Sequence, residues 1–172
     1  MEHTGVYANA IVSFLEKEEI TYCRMSALAI KKSLGIVRGK DDGVDAFRIS
    51  QYTYEKREKL SPSKLPPANI IALRNLLVER KGYVKSIAQY KQRKNEIAVH
   101  QEKRSIKRYT SVIKILTKKV EEIKLEIMEL IENDPELLKT YTLISSVIGI
   151  GFVNAVSFIA YTNNFQDFTN PR

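Results

Sequence analysis

Residues that form disulfides, cluster around metals or punctuate a fold with turns are scarce in this chain. Cys23 is its one cysteine, which excludes a disulfide framework and a Cys-rich zinc site, and fits a reducing compartment. His3 and His100 are its two histidines, too few and too far apart for a His-based metal motif. Seven Gly and five Pro in 172 residues, with 44% apolar residues, exclude collagen-like repetition and wholesale disorder. No basic stretch leads into an apolar run at the N-terminus, so no secretory leader is expected. A chain of this length suits one domain or two small ones.

Charge is missing altogether from Thr140 to Gln166. About 20 apolar residues would span a bilayer as a helix. Here, however, Gly149-Ile150-Gly151 interrupts the run, Ser145, Ser146, Asn154 and Ser157 surround it, and only Lys139 flanks it closely. Two short buried helices joined at the glycines are expected instead, and no membrane span.

What is present divides the chain into parts. In residues 1–60, Ala10, Ile11, Phe14 and Leu15 recur at helical spacing, with Glu16, Glu18 and Glu19 on the other side. Ile20 to Arg24 favours a short strand. A second helix is expected from Ser26, its N-cap, through Leu28, Ile30 and Leu34 to a stop at Gly35. A third begins near Asp41 or Asp42 and carries Val44, Phe47, Ile49 and Tyr52. Helix, strand, helix resembles a piece of an α/β layer whose partner strands are lacking, so the apolar faces around Phe14, Leu28 and Phe47 are expected to be under-covered.

Residues 61–67 form a Pro-rich linker, broken by Pro62, Pro66 and Pro67. Residues 68–133 are read as a basic helical hairpin. Ile106, Tyr109, Ile113, Leu116, Val120, Ile123, Ile127 and Leu130 fall on alternating steps of three and four, the pattern of a coiled-coil seam. The preceding helix keeps the phase at Ile70, Leu73, Leu77, Val84 and Ile87, with Arg80 and Lys91 as interruptions. The seam suits either an intramolecular antiparallel hairpin or a homodimer, and both readings stay open here.

Basicity is concentrated in that hairpin. The whole chain carries 28 basic and 20 acidic residues, a formal charge of +8 with pI near 9.5. Between Arg74 and Lys119 there are 14 basic residues against Glu79, Glu96 and Glu102, a balance of +11, and the remainder of the chain carries −3. A solvated helix surface ordinarily mixes signs, whereas a long run of one sign attracts polyanions. Lys85, Lys91, Arg93, Lys94, Lys103, Arg104, Lys107, Arg108 and Lys114 are the candidate nucleic-acid contacts. From Glu121 to Glu136 the sign reverses, with seven acids and one Lys.

Residues 134–172 open at Asp134-Pro135, an N-cap followed by Pro at the first helical position. Helix, Gly149-Ile150-Gly151, helix is the outline of a helix-hairpin-helix. The glycines permit a tight turn, and free N–H groups at the second helix start suit a phosphate; a plain turn between packed helices is the competing reading. Near the N-terminus, Asp42 and Asp45 lie three residues apart at a helix start, so they share a face with Cβ atoms about 5–6 Å apart. They suit either helix capping or a hard-cation site, since Mg²⁺ takes one or two carboxylates plus substrate phosphates. A two-ion phosphodiester centre would need more carboxylates, and Glu2 is the candidate.

Glu2-His3-Thr4-Gly5-Val6-Tyr7 fits E-x-T-G-x-Y, and Lys40-Asp41-Asp42-Gly43-Val44-Asp45-Ala46 fits K-x-D-x-x-D-A. With the long charged hairpin and Gly149-Ile150-Gly151, the chain resembles the bacterial insertion-sequence transposases of the Piv/MooV type. The resemblance implies a mainly α chain with a small β remnant: a partial RuvC/RNase H-like α/β unit, a helical coiled-coil hairpin, and the start of a helix-hairpin-helix-like C-terminal domain. It implies Glu2, Asp42 and Asp45 as catalytic Mg²⁺ ligands, DNA and a guide RNA as partners, and a bacterial cytoplasmic, nucleoid-associated location. The family's first Asp and its nucleophilic serine have no counterpart here, Met25-Ser26 replaces the usual Asn-Pro, and Ile148 stands for a frequent Pro. A truncated, catalytically incompetent fragment is therefore expected. A non-catalytic nucleic-acid-binding module and a structural dimer are the alternatives.

Overall fold

The computed structural model describes residues 1, 8–33, 41–98, 102–166 and 168. It divides into two compact units, Met1–Leu65 and Pro66–Arg172. Among the described residues the chain is almost entirely helical, and no helix is long and apolar enough to cross a membrane.

The first unit holds α1 (Asn9–Lys17), α2 (Ala27–Ser33) and α3 (Asp42–Lys56), the last running into a 3-10 turn at Arg57–Lys59. Its core is small: Ala8, Val12 and Tyr22 are buried, with Met1, Leu15 and Leu65 against them. The inward face of α1 is therefore Ala8, Val12 and Leu15, at helical spacing, rather than the expected Ala10, Ile11 and Phe14, which are exposed. Glu16 does not simply face water either. Its carboxylate accepts from the Tyr22 hydroxyl at 2.6 Å and from the Leu65 N–H at 3.0 Å. Phe14, Leu28 and Phe47 are each more than half exposed, so these apolar faces are under-covered as expected. The helix stop expected at Gly35 lies outside the described residues.

Ile20 to Arg24 is extended but forms no strand, and a single bridge residue, Met25, follows it. The reason lies in its partners. On one side the Met1 ammonium donates to the Cys23 carbonyl at 2.7 Å, and the Met25 N–H donates to the Met1 carbonyl at 2.9 Å. On the other, the Ser63 N–H donates to the Tyr22 carbonyl at 2.8 Å, and the Arg24 N–H donates to Ser63 Oγ at 2.9 Å. Alternate residues bond to opposite sides, as in a strand with two neighbours. Among the described residues each neighbour contributes one residue, too little for a ladder.

The second unit holds α4 (Ala68–Ala98), α5 (Lys103–Glu132), α6 (Pro135–Ser145) and α7 (Phe152–Tyr161). The two long helices, each about 45 Å at 1.5 Å per residue, run antiparallel. Ile70, Leu73 and Leu77 share a core with Ile123, Ile127 and Ile131 at one end, and the Tyr90 and Tyr109 rings lie 5.9 Å apart toward the other. Of the two pairings the seam allows, the structure shows the intramolecular one. Burial along it is graded. Val120, Ile123 and Ile127 are buried, while Ile106, Tyr109, Ile113 and Leu116 are half-buried, because only the base of the pair is also covered by α6 and α7. On α4, Val84 is exposed and Tyr83 takes the inward place that spacing assigned to Val84. Arg80 is half-buried beside it.

Asp134 caps α6, accepting from the Glu136 and Leu137 N–H groups at 3.0 and 3.2 Å. The Asn69 side-chain amide donates to its second oxygen and so ties α4 to the same corner. The uncharged stretch becomes two short helices, as expected, but the expected burial holds for α7 and not for α6, where Leu137 alone is buried. Ala155, Val156, Ile159 and Ala160 of α7 are fully buried, while Leu143 and Ile148 near the turn are exposed.

Candidate nucleic-acid interface and carboxylate pair

Capping chemistry positions the acidic pair. Asp41 adopts extended backbone and accepts from the Val44 N–H at 2.9 Å, which starts α3 at Asp42. Asp42 and Asp45 consequently lie in the first turn, both exposed, where acidic side chains suit the helix dipole. Asp45 is already engaged, accepting from Arg48 Nη1 at 3.0 Å. Glu2 lies outside the described residues. Among the described residues no group of three or more His, Cys, Asp or Glu side chains gathers in a way that would hold a metal ion. The pair offers oxygen donors of the kind Mg²⁺ takes, and two carboxylates meet the share that such an ion asks of a protein when substrate phosphates supply the rest. Arg48 holds only the Oδ1 oxygen of Asp45, so a cation there would share the carboxylate with the guanidinium.

The basic candidates are distributed over both long helices. Lys85, Lys91, Arg93 and Lys94 lie on α4, and Lys103, Arg104, Lys107, Arg108 and Lys114 on α5. All are exposed except Lys94, which is half-buried. Lys119, at the inner limit of the basic stretch, donates to Glu122 at 2.7 Å, and this bond raises its pKa and lowers that of Glu122. Where the sign reverses, a groove of about 520 Å³ between α4 and α5 is rimmed by Glu126 and Glu129 and repels phosphate. The exposed cations of the basic stretch therefore lie along the distal half of the pair, away from this acidic groove.

Gly149 and Gly151 occupy the turn between α6 and α7. Gly149 has φ +92°, a conformation that favours glycine, whereas Gly151 is ordinary extended backbone at the N-cap of α7 and offers no side chain to cap it. The first N–H groups of α7 therefore lack a side-chain cap. Lys124, which spacing did not single out, places its ammonium 5.6 Å from the Phe152 ring centre, beside this same helix start. The available signal was its isolation, as the one Lys in a stretch of seven acids.

A family model described as "Transposase", for DEDD transposases of the IS110 type, matches residues 1–99. This is more than half of the 172-residue chain. The chain belongs to that family, and its role is in DNA transposition; divalent-metal use and DNA binding go with family membership. No curated protein matches it.

Proposed function

We infer that this chain is the nucleic-acid-holding part of a Piv/MooV-type insertion-sequence transposase, with α4 and α5 supplying a basic arm for DNA or a structured guide RNA. The observation that carries this reading is the +11 balance between Arg74 and Lys119 combined with the exposure of eight of the nine candidate cations. Phosphates are drawn to such a surface without regard to sequence, and their counterions are released on binding. The uncapped α7 start with Lys124 nearby supports a further phosphate contact, at about 15 Å along α5 from Lys114.

Asp42 and Asp45, with Glu2, would hold Mg²⁺. Bound there beside a phosphodiester, the ion would stabilise charge on the attacking and leaving oxygens. In this chain the protein's own part is to present two carboxylates on one helical turn, with the Arg48 guanidinium balancing one of them. Without metal, Asp41 still caps α3 through the Val44 N–H and Asp45 stays paired with Arg48.

Fluorescence anisotropy with labelled duplex DNA and with RNA tests the arm. If it neutralises about 6–10 phosphates, affinity falls about 10³–10⁵-fold between 50 and 200 mM salt. Replacing Lys85, Lys91, Lys107 and Lys114 with Gln reduces the slope. A response flat in salt, or a slope indifferent to these four changes, overturns the reading. For the carboxylates, titration with Mn²⁺ should show weak binding that is lost in Asp42→Asn/Asp45→Asn.

A further inference from the structure

The α4–α5 pair is held unevenly along its length. Buried side chains stop at Leu77 on α4 and begin at Val120 on α5, so neither 78–98 nor 103–119 contributes one. In that distal part Ile106, Ile113 and Leu116 are half-buried, and Tyr90 and Tyr109 supply a ring contact. Among the described residues no salt bridge or side-chain hydrogen bond crosses from 78–98 to 103–119. The bonds found there, Gln92 to Glu96 and Lys118 and Lys119 to Glu122, stay within one helix.

Charge works against closure in the same part. Residues 78–98 carry six basic side chains and two acidic ones, and 103–119 carry seven basic and none acidic. Two facing helices of one sign repel, over a screening distance of about 10 Å at 0.1 M salt. The ends of both helices at the far tip are also charged against their dipoles. Glu96 lies in the last turn of α4, and Lys103 and Arg104 open α5, whose N-cap Glu102 supplies no side-chain cap.

Gly82 stands where the two regimes meet. It lies inside α4 just beyond Leu77, and a Cβ there would meet nothing within 4 Å. Close packing therefore does not call for glycine, while its backbone freedom weakens the helix at this place. Beside it, Tyr83 is the last side chain of α4 that packs against the base core. On α5, Thr110 and Thr117 each donate from Oγ1 to the carbonyl four residues back, Ile106 and Ile113, at 2.8 Å. Such bonds compete with the helix's own and favour bending. We propose that Gly82 is a hinge, and that the arm beyond it, 83–98 with 103–117, opens from the base as one cooperative unit. Like charge favours the open arm, and neutralisation closes it. Closing is thereby coupled to polyanion binding; the coupling rests on the nucleic-acid reading of the arm, whereas the opening does not. Once apart, the two stretches have little to keep them helical, because isolated helices of about 15 residues are marginal in water. The base keeps its fold, since α6 and α7 share its core.

Hydrogen exchange of the full chain, read by mass spectrometry without nucleic acid, tests the hinge. Amides of 83–98 and 103–117 are expected to exchange together, at least about tenfold faster than those of 68–77 and 120–131. Raising salt from about 50 to about 500 mM slows the arm and leaves the base unchanged. Gly82→Ala slows both stretches of the arm by about fivefold, the equivalent of the roughly 1 kcal/mol between Gly and Ala in a helix interior, although it alters α4 alone. An even rate along both helices overturns the proposal. So does an arm indifferent to salt, or a Gly82→Ala effect confined to the turn around residue 82. Duplex DNA at low salt should slow the arm as salt does, and DNA that binds by anisotropy without slowing it overturns the coupling. DNA that fails to bind overturns the nucleic-acid reading instead, and the salt and Gly82→Ala results still decide the hinge.

Discussion

Arg74 donates from Nε to the carbonyl oxygen of Ala160 at 2.6 Å, joining α4 to the last turn of α7. A helix leaves its last four carbonyls without intrahelical partners, and a cation is favoured at that end by the dipole. Arg74 thus meets two needs of α7, at a place where Ala160 is fully buried and water cannot substitute.

Replacing Arg74 with Ala should therefore destabilise the second unit by about 2 kcal/mol, the range for a charge-assisted hydrogen bond. Arg74→Lys keeps a charge near the helix end but loses the planar donor, so it should recover only part of this. Urea unfolding followed by circular dichroism measures both. Equal loss in the two variants would show that the hydrogen bond, rather than the charge, carries the effect.

How much of this was legible beforehand depended on whether the determining contact was local. The cap at Asp134 could be read directly, because an N-cap bonds to N–H groups two or three residues on, whereas the start of α3 was expected at Asp41 or Asp42 and the structure gives the cap to Asp41. The α5 seam was legible for the same reason, as eight residues on one regular spacing. Tertiary partners were not. Nothing near Glu16 in sequence says that its carboxylate bridges Tyr22 and Leu65, and Ile20 to Arg24 has strand composition without neighbours enough to make a strand. Tyr83 displacing Val84 on the inward face of α4, and Lys124 arriving beside α7, likewise depend on residues far along the chain. The acidic pair was half legible: Asp42 and Asp45 share a turn as expected, but the engagement of Asp45 by Arg48 was not foreseen.

The Glu16–Tyr22 bond gives the first unit a defined pH window. The Tyr22 hydroxyl, with Leu65 N–H second, holds the Glu16 carboxyl below its ordinary pKa. Burial, aided by the bond to Glu16, pushes Tyr22 up to about 12. A depressed carboxylate contributes stability above its unfolded pKa and loses it as pH falls through the folded value. A tyrosine with a raised pKa contributes below about 10 and loses that contribution as pH rises toward about 12. Stability of this unit should thus be level from about pH 5 to 9 and fall on both sides. Tyrosinate absorbance should show a late-titrating group that Tyr22→Phe removes, together with both flanks of the stability profile.

The two glycines of the α6–α7 turn should separate fold from contact. Gly149 at φ +92° would force a side chain into left-handed backbone, so Gly149→Ala should cost about 1–2 kcal/mol. Gly151, at φ −81° with open space where a Cβ would stand, should accept Ala within about 0.5 kcal/mol. If the start of α7 contacts phosphate, Gly151→Ala should leave stability unchanged yet weaken nucleic-acid binding, and Lys124→Gln should weaken it further. Thermal unfolding and anisotropy on the same samples distinguish the two effects, and unchanged affinity in both variants would leave the turn with a purely structural role.

Arg80 tests the division between the cations that face water and those that do not. It occupies an inward step of α4, it is half-buried, and its Nε is buried without a hydrogen-bond partner among the described residues. Burying a polar group unpaired costs about 1–3 kcal/mol, and the positions before it on the same face, Leu73 and Leu77, are apolar. Arg80→Leu should therefore stabilise the hairpin by about 1 kcal/mol, since replacing an imperfectly satisfied charge with a packed apolar side chain is often favourable. It should also leave the salt slope of nucleic-acid binding unchanged, because a side chain turned into the packing neutralises no phosphate. A slope reduced by about one unit would instead assign Arg80 to the polyanion, and the basic surface would then extend inward past Lys85 toward the core of the second unit.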